Sequence, residues 1–454
     1  MPADPLVLER FRARDLAWTA QRGMRSALEE LCHSLSDPGA LAGAALVKRS
    51  LTRSVWRLPL AGRTVYLKRY RVRSRRERLK YLVARPRARA EWRAALRLRE
   101  AGIEAAEPLA VALGRRGPWL ADAWFVAGEV PGLSFREALA ELRAKGTESV
   151  AALLRETAAL LTRLEAAGLA HPDLHGANLL VQSGPRGPRL ALIDLHSLRL
   201  GRLRAGIARR SARAKLAHSL WRLLREDELA LALRLLAPGR ERRLRRAAAR
   251  IERRRLRSRT RRCLRSSSRF AHERAGGFRV WRRRTVSLEE LLRLAAPHGE
   301  GADGAPPRLR AGGALHPVRV VRRRGAAALA GYRRAFALEV RGVPARRVYA
   351  CLQRRFLGRL REALLVVEEL PGGVRLDRVA PARRGPALVR AAVEVAARHH
   401  RAGLGVAPRD LLAAESEAGW RVVRARPGWR SPDRPLAAAR IARELARIRA
   451  AAGG

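Results

Sequence analysis

Lysine is almost missing from this chain of 454 residues: of 96 basic side chains only Lys48, Lys68, Lys80, Lys145 and Lys215 are lysine, and the rest are arginine. An Arg/Ala/Leu bias of this kind reflects a GC-rich genome, so part of the net charge of +55 is compositional. Its physical effect remains an attraction to phosphate, in nucleotide, nucleic acid or anionic lipid. Cysteine is scarce too. Cys32, Cys263 and Cys351 stand far apart with no CxxC spacing, which argues against a disulfide framework or a zinc site and points to a reducing compartment. No apolar run approaches the roughly 18 residues that a membrane span requires. Charges of both signs interrupt residues 1–25, so they do not read as a secretion signal. The expectation is a cytoplasmic protein.

What is present is material for packed cores. An apolar fraction of 47% excludes a disordered tail and suits two or three soluble domains. The chain also repeats itself. Ala90 to Gly102 (AEWRAALRLREAG) lies over Ala330 to Gly342 (AGYRRAFALEVRG), and the same offset of 240 brings Gly128-Glu-Val-Pro-Gly132 over Glu368-Glu-Leu-Pro-Gly372. Two blocks at one offset imply two related halves.

Each half has the same coarse order. In the first, Ser54 to Leu58 and Thr64 to Lys68 alternate as strands about Gly62, and a helix near Ala88 to Ala101 is stopped by Gly102. Trp119 to Val126 then reads as a buried strand and Ser149 to Ala167 as a long apolar helix ended by Gly168. The expected division is an N-terminal extension over 1–35, a first domain over 36–239, an Arg-rich linker or helix over 240–262, and a second domain over 263–454. Thirteen Arg against Glu241 and Glu252 make the 240–262 segment a solvated helix face or a contact for anionic membrane. Few aromatics are interleaved there, which disfavours nucleic acid as the partner.

The sharpest chemistry is His171-Pro-Asp173-Leu-His175-Gly-Ala-Asn178, followed after a turn-rich stretch by Leu190-Ala-Leu-Ile-Asp194-Leu-His196. Phosphoryl transfer from a nucleotide needs a carboxylate beside the acceptor hydroxyl and oxygen ligands for magnesium. Asp173 supplies the first, with Asn178 and Asp194 as the metal ligands. His171 joins Asp173 as a candidate catalytic residue, in the role of a brace for the loop. His175 and His196 either reach the acceptor or only satisfy backbone groups.

These residues resemble the protein-kinase-like fold, and in detail the lipopolysaccharide kinase family that phosphorylates Kdo or heptose sugars of the lipid A core. The likeness rests on HPDLHGANLLV, LIDLH in place of a DFG, VYLKRY and AEWRAALRLREAGI, spanning roughly residues 50 to 200. It implies an α+β, two-lobed kinase-like fold, ATP and Mg2+ as cofactors, Lys68 on the α- and β-phosphates and Glu91 paired with Lys68. It also implies a glycolipid acceptor and a peripheral position at the cytoplasmic face of the inner membrane. One departure stands out: no GxGxxG precedes Lys68, so Arg53 or Arg57 becomes a candidate for covering the phosphates.

The second half loses the chemistry. Glu91 falls on Gly331, the lysine strand is best matched by Gly277 to Arg283 with Arg282 near the place of Lys68, and Asp410 lies over Asp173 with Glu415 in place of Asn178. The expectation is a second, degenerate kinase-like copy. Two rivals stand beside the glycolipid kinase. One is a kinase for a small soluble molecule or a protein; the other is a non-catalytic basic scaffold for anionic membrane or nucleic acid. The sequence leaves the oligomeric state open.

Overall fold

The computed structural model describes residues 6–50, 52–72, 74–185, 187–200, 202–296, 306–322, 327–417, 419–425 and 438–453. They form two compact units, Met1–Ile251 and Glu252–Gly454.

In the first unit, strands β1 (Leu8–Ala13), β2 (Leu16–Gln21), β3 (Ala45–Arg49), β4 (Arg53–Leu60), β5 (Arg63–Arg71), β6 (Pro108–Arg116) and β7 (Trp119–Gly128) make one antiparallel sheet. Its order is β1-β2-β6-β7-β5-β4-β3. The period of two decides what each face carries. On β5, Val65 and Leu67 join Trp18, Leu58 and Trp124 on one face, while Tyr70 joins Trp92 and Phe125 on the other. The β4–β5 hairpin closes through Ala61 and Gly62, at φ 51° and 72°, the two positive values that a tight two-residue turn requires.

Helix α1 (Arg25–His33) covers the first face with Leu28, Leu31 and Cys32. Residues 8–33, expected as an extension, are therefore part of the sheet and its core: Trp18, paired in register with Ala112, is 2% exposed. Helix α2 (Arg75–Val83) follows β5. Helix α3 (Arg87–Glu100) is rich in Ala, Leu and Arg, which favour helix, and it ends at Gly102, whose φ of 63° only glycine adopts without cost. It is buried on two sides. Ala88 and Trp92 pack on the sheet, while Ala94, Ala95 and Leu98 enter a second core built from the helices Phe135–Ala144, Thr147–Ala166, Arg202–Leu220 and Glu226–Leu236. This gives a sheet lobe and a helical lobe joined through α3. In the helical lobe the hairpin Leu179–Gly184 and Gly187–Leu192, with Leu179 opposite Leu192, brings the segments before and after it together. The segment expected as a linker or helix forms the helix Glu241–Arg261, with Leu244, Ala248 and Leu256 buried.

The second unit has a six-stranded antiparallel sheet in the order Phe270–Ala275, Phe278–Arg283, Val348–Phe356, Arg359–Glu368, Ala314–Arg322, Arg308–Ala311. Helix Ala327–Val340 and strands Val348–Phe356 and Arg359–Glu368 begin and end 240 residues after α3, β6 and β7. Two sequence expectations need correction. Phe278–Arg283 pairs with Val348–Phe356 as β2 pairs with β6, so it is not the counterpart of the lysine strand. That counterpart is Ala314–Arg322, which pairs with Arg359–Glu368 as β5 pairs with β7. Lys68 stands opposite Phe125 and Val321 opposite Leu365, so the lysine position holds valine. Arg282 instead pairs with Glu273, at 2.6 Å.

Asp410 is likewise not over Asp173. It ends the short turn Pro408–Asp410 just before the strand Leu411–Ser416, as Asn178 ends Gly176–Asn178 before Leu179–Gly184. The Ala425 N–H donates to the Asp410 carbonyl at 2.8 Å, as the Ile193 N–H donates to that of Asn178 at 3.0 Å. The reason is length: Asn178 follows Gly168 by ten residues, whereas Asp410 follows Gly403 by seven. A shift of three residues in a loop is invisible to motif matching.

Candidate active site

Lys68 lies on β5 on the face that α3 covers. Its Nζ is hydrogen-bonded to Glu91 Oε1, and Tyr70, two residues along the same face, donates its hydroxyl to Glu91 Oε2. Glu91 is 1% exposed and Lys68 9%. This is a buried ion pair, whose desolvation is offset only when geometry and additional hydrogen bonds are good. Phe125, with its centroid 5.5 Å from Nζ, adds a favourable ring face. Burial, then the Glu91 carboxylate, pushes the Tyr70 phenol well above its ordinary range, so it stays a donor.

The segment Leu169 to Asn178 crosses from the long helix to the hairpin. Its Asp173 is about half exposed and its Oδ1 accepts from Lys215 Nζ at 3.0 Å. Burial alone would raise the Asp173 carboxyl, but the Lys215 hydrogen bond and charge outweigh it and hold it below the usual range. Asn178 Nδ2 donates to the Asp173 carbonyl at 3.1 Å, and the Gly176 N–H donates to Ser219 Oγ at 3.0 Å. His171 is buried, with Nε2 3.2 Å from the Asp194 carbonyl oxygen and Nδ1 3.4 Å from Ser197 Oγ. Burial lowers its pKa, which suits a neutral ring tying two loops together. His175 lies half-buried at the entry to the 176–178 turn.

Asp194 follows the second strand of the hairpin in the left-handed region, at φ 59° and ψ 56°, a conformation that a non-glycine residue holds only when its surroundings impose it. Its carboxylate takes a two-pronged bond from Arg53, 2.7 and 3.3 Å, and one from His196 Nδ1 at 2.7 Å. Burial opposes the ionised form, yet these bonds hold its pKa far below the usual carboxylate range. Arg53 heads β4, the neighbour of the lysine strand, so the sheet lobe reaches Asp194 from above. Arg57, the other candidate for covering phosphates, is turned away and pairs with Glu129 at 2.8 Å.

A chain of contacts thus links these residues: Lys68 and Tyr70 meet at Glu91, Arg53 joins Tyr70 to Asp194, His171 bonds the Asp194 carbonyl, and Asn178 bonds the Asp173 carbonyl. Asn178 and Asp194 fit magnesium: an amide oxygen and an ionised carboxylate are hard donors, and such an ion keeps the rest of its shell for water and phosphate. No cluster of three or more His, Cys, Asp or Glu among the described residues would cage a metal by itself.

The family model of the lipopolysaccharide kinase (Kdo/WaaP) family matches residues 36–229. The matched stretch lies within the first unit and includes Lys68, Glu91, His171, Asp173, Asn178 and Asp194. Its two-lobed α+β architecture is kinase-like, and the chain is a phosphotransferase of the kinase type. The match ends within the first unit. Among solved structures, WaaP in complex with acyl carrier protein is similar at 21% identity over 46% of this chain and 86% of that one, with a TM-score of 0.36. No curated protein matches the chain. Reading the sequence missed three contacts of the kinase domain: Tyr70, Ser219 and Lys215. Only Lys215 left a signal, as one of five lysines in the chain.

Proposed function

We propose that the first unit transfers the γ-phosphate of ATP to a sugar hydroxyl, of Kdo or heptose, on a lipopolysaccharide core or a related glycolipid. The observation that carries this reading is the meeting of the Lys68–Glu91 pair with Asp173, Asn178 and Asp194 inside the region that matches the family model. Asp173, ionised and open to solvent, orients the acceptor hydroxyl and takes its proton. Lys68, fixed by Glu91, directs its ammonium at the α- and β-phosphates. Arg53, beside Asp194 where no glycine-rich cover exists, is the arginine available to phosphate. Asn178 and Asp194 would hold Mg2+, which supplies charge neutralisation on phosphate oxygens when bound. His171 braces the loop.

The second unit is a degenerate kinase-like copy that does not transfer. In support, Val321 stands where Lys68 does, Gly331 where Glu91 does, and a Cβ built on Gly331 would meet Leu365 Cδ1 at 3.1 Å, so an apolar side chain fills the slot of the buried pair. The site of action is the cytoplasmic face of the inner membrane, with the arginine-rich helix Glu241–Arg261 as an anionic-lipid contact. No described helix is long and apolar enough to cross a membrane.

The test is to incubate the protein and Asp173→Ala with Mg-ATP and lipid A core glycolipids, free sugars and a basic protein, scoring each for a phosphate mass shift. A shift on glycolipid that the variant abolishes is expected. Labelling confined to soluble sugar or protein would remove the glycolipid, and absence of both transfer and Mg-ATP binding would leave the basic scaffold.

A further inference from the structure

Two of the five lysines meet carboxylates of the candidate site: Lys68 at Glu91, and Lys215 at Asp173. Lys215 belongs to no motif. It lies on the helix Arg202–Leu220, whose Ala212, Ala214, Leu216, Ala217 and Leu220 are buried and fix its position. One turn further along, Ser219 Oγ accepts the Gly176 N–H at 3.0 Å. The helix that carries Lys215 is thus fastened to the loop that carries Asp173. Both ends of the Lys215–Asp173 pair remain open, at 37% and 51% side-chain exposure, so a ligand can reach them.

The residue type is informative. Where this chain needs an ion pair for structure it uses arginine: on the same helix, two residues earlier, Arg213 grips both carboxylate oxygens of Glu165 at 3.0 and 2.9 Å. A guanidinium fork at 215 would engage both oxygens of Asp173. The ammonium takes Oδ1 and leaves Oδ2 for an incoming hydroxyl. A compact point charge with rotating donors can hold one phosphate oxygen while still touching Oδ1, where a rigid fork spans two oxygens of a single carboxylate or phosphate.

We propose that Lys215 is a second phosphate-binding lysine, placed on the acceptor side of the transferring phosphoryl group; this rests on the kinase reading above. In the transfer the acceptor O–H bond breaks and its proton passes to Asp173. The acceptor oxygen bonds to the γ-phosphorus as the bond from that phosphorus to the β,γ-bridging oxygen breaks, releasing ADP. Lys215 stays protonated throughout and holds a non-bridging oxygen of the phosphoryl group as charge spreads over it.

The decisive experiment needs no acceptor. The full chain is treated with an ATP analogue bearing an acyl group on its γ-phosphate, a mixed anhydride. An amine within reach attacks the acyl carbon, forms an amide and releases ATP. Peptide mapping should find amides on Lys68 and Lys215, both blocked by excess ATP. Labelling of Lys68 without Lys215 overturns the proposal and leaves the nucleotide site standing, whereas labelling of neither overturns both. In turnover, Lys215→Met and Lys215→Arg should each lower kcat by about 10² with KM for ATP within about threefold. Recovery of wild-type kcat by Lys215→Arg would reduce the residue to a structural ion pair.

Discussion

The Lys68→Met variant tests the buried pair and the nucleotide site together. Removing the ammonium leaves the Glu91 carboxylate 99% shielded from water with only the Tyr70 hydroxyl as partner. Breaking a buried pair from one side costs about 3–5 kcal/mol, a rise of roughly two to three and a half decades in a local opening constant. Because the chain holds two units, a single unfolding midpoint would mix them. Hydrogen exchange followed by mass spectrometry avoids this by reading peptides of β5 and α3 separately. Their slowest amides should exchange faster by that factor in Lys68→Met. The double variant Lys68→Met/Glu91→Leu should recover most of the loss, since apolar side chains of similar volume substitute well for a buried pair. Saturating Mg-ATP adds about 2.7 kcal/mol at 100 times Kd to the wild type, and this gain should vanish in both variants. A change below about 1 kcal/mol in the single variant would place the pair among solvated surface bridges and refute the reasoning.

Three further outcomes follow from the same contacts. Tyr70→Phe deprives Glu91 Oε2 of its donor and should loosen the same peptides by about 1–3 kcal/mol, measured in the same exchange experiment. In the second unit, burial pushes His399 down to about 4, its Nδ1 bonded to the Val395 carbonyl. The unfolded state then takes up the proton first, so stability is full above about pH 6.5 and falls as pH drops towards 4, by about 3 kcal/mol in all. Hydrogen exchange of second-unit peptides over that range should show the wild type losing this stability as pH falls, while His399→Met stays nearly level. Asp410→Ala should leave transfer within about threefold of wild type, whereas Asp173→Ala should lower kcat at least about 10³-fold; equal losses would make the second unit a catalytic one.

Much of the kinase domain was legible because its signals are local. The β4–β5 hairpin shows in strand alternation about Gly62, α3 in its apolar stripe and terminal Gly102, and the hairpin behind Asp194 in two short apolar runs around a Gly- and Pro-rich turn. Lys68 and Glu91 came from motif likeness, and their burial against each other is a property of packing. Arg53 was one of two candidates, and strand position decided: it heads β4, whereas Arg57 four residues on points to Glu129. Lys215 and Ser219 reach the site from a helix some 40 residues after Asp173, a distance at which sequence carries no geometric information. The second unit was aligned wrongly at one strand, because arginine-rich segments resemble one another and only strand pairing separates them, and at one loop, because it is three residues shorter than its counterpart.

The place of β1, β2 and α1 in the sheet has a practical consequence. A protein shortened to residue 36, where the family match starts, would strip β2 from β6 and uncover the cluster around Leu109, Ala110 and Ala112. It would also discard Trp18, Leu28 and Leu31, each worth about 1.5–3 kcal/mol when fully buried. The open edge of β6 would then offer unpaired backbone groups to other chains, an invitation to aggregate. The smallest soluble piece that keeps the Lys68 lobe intact must therefore start ahead of Leu8, well before the recognisable family sequence begins.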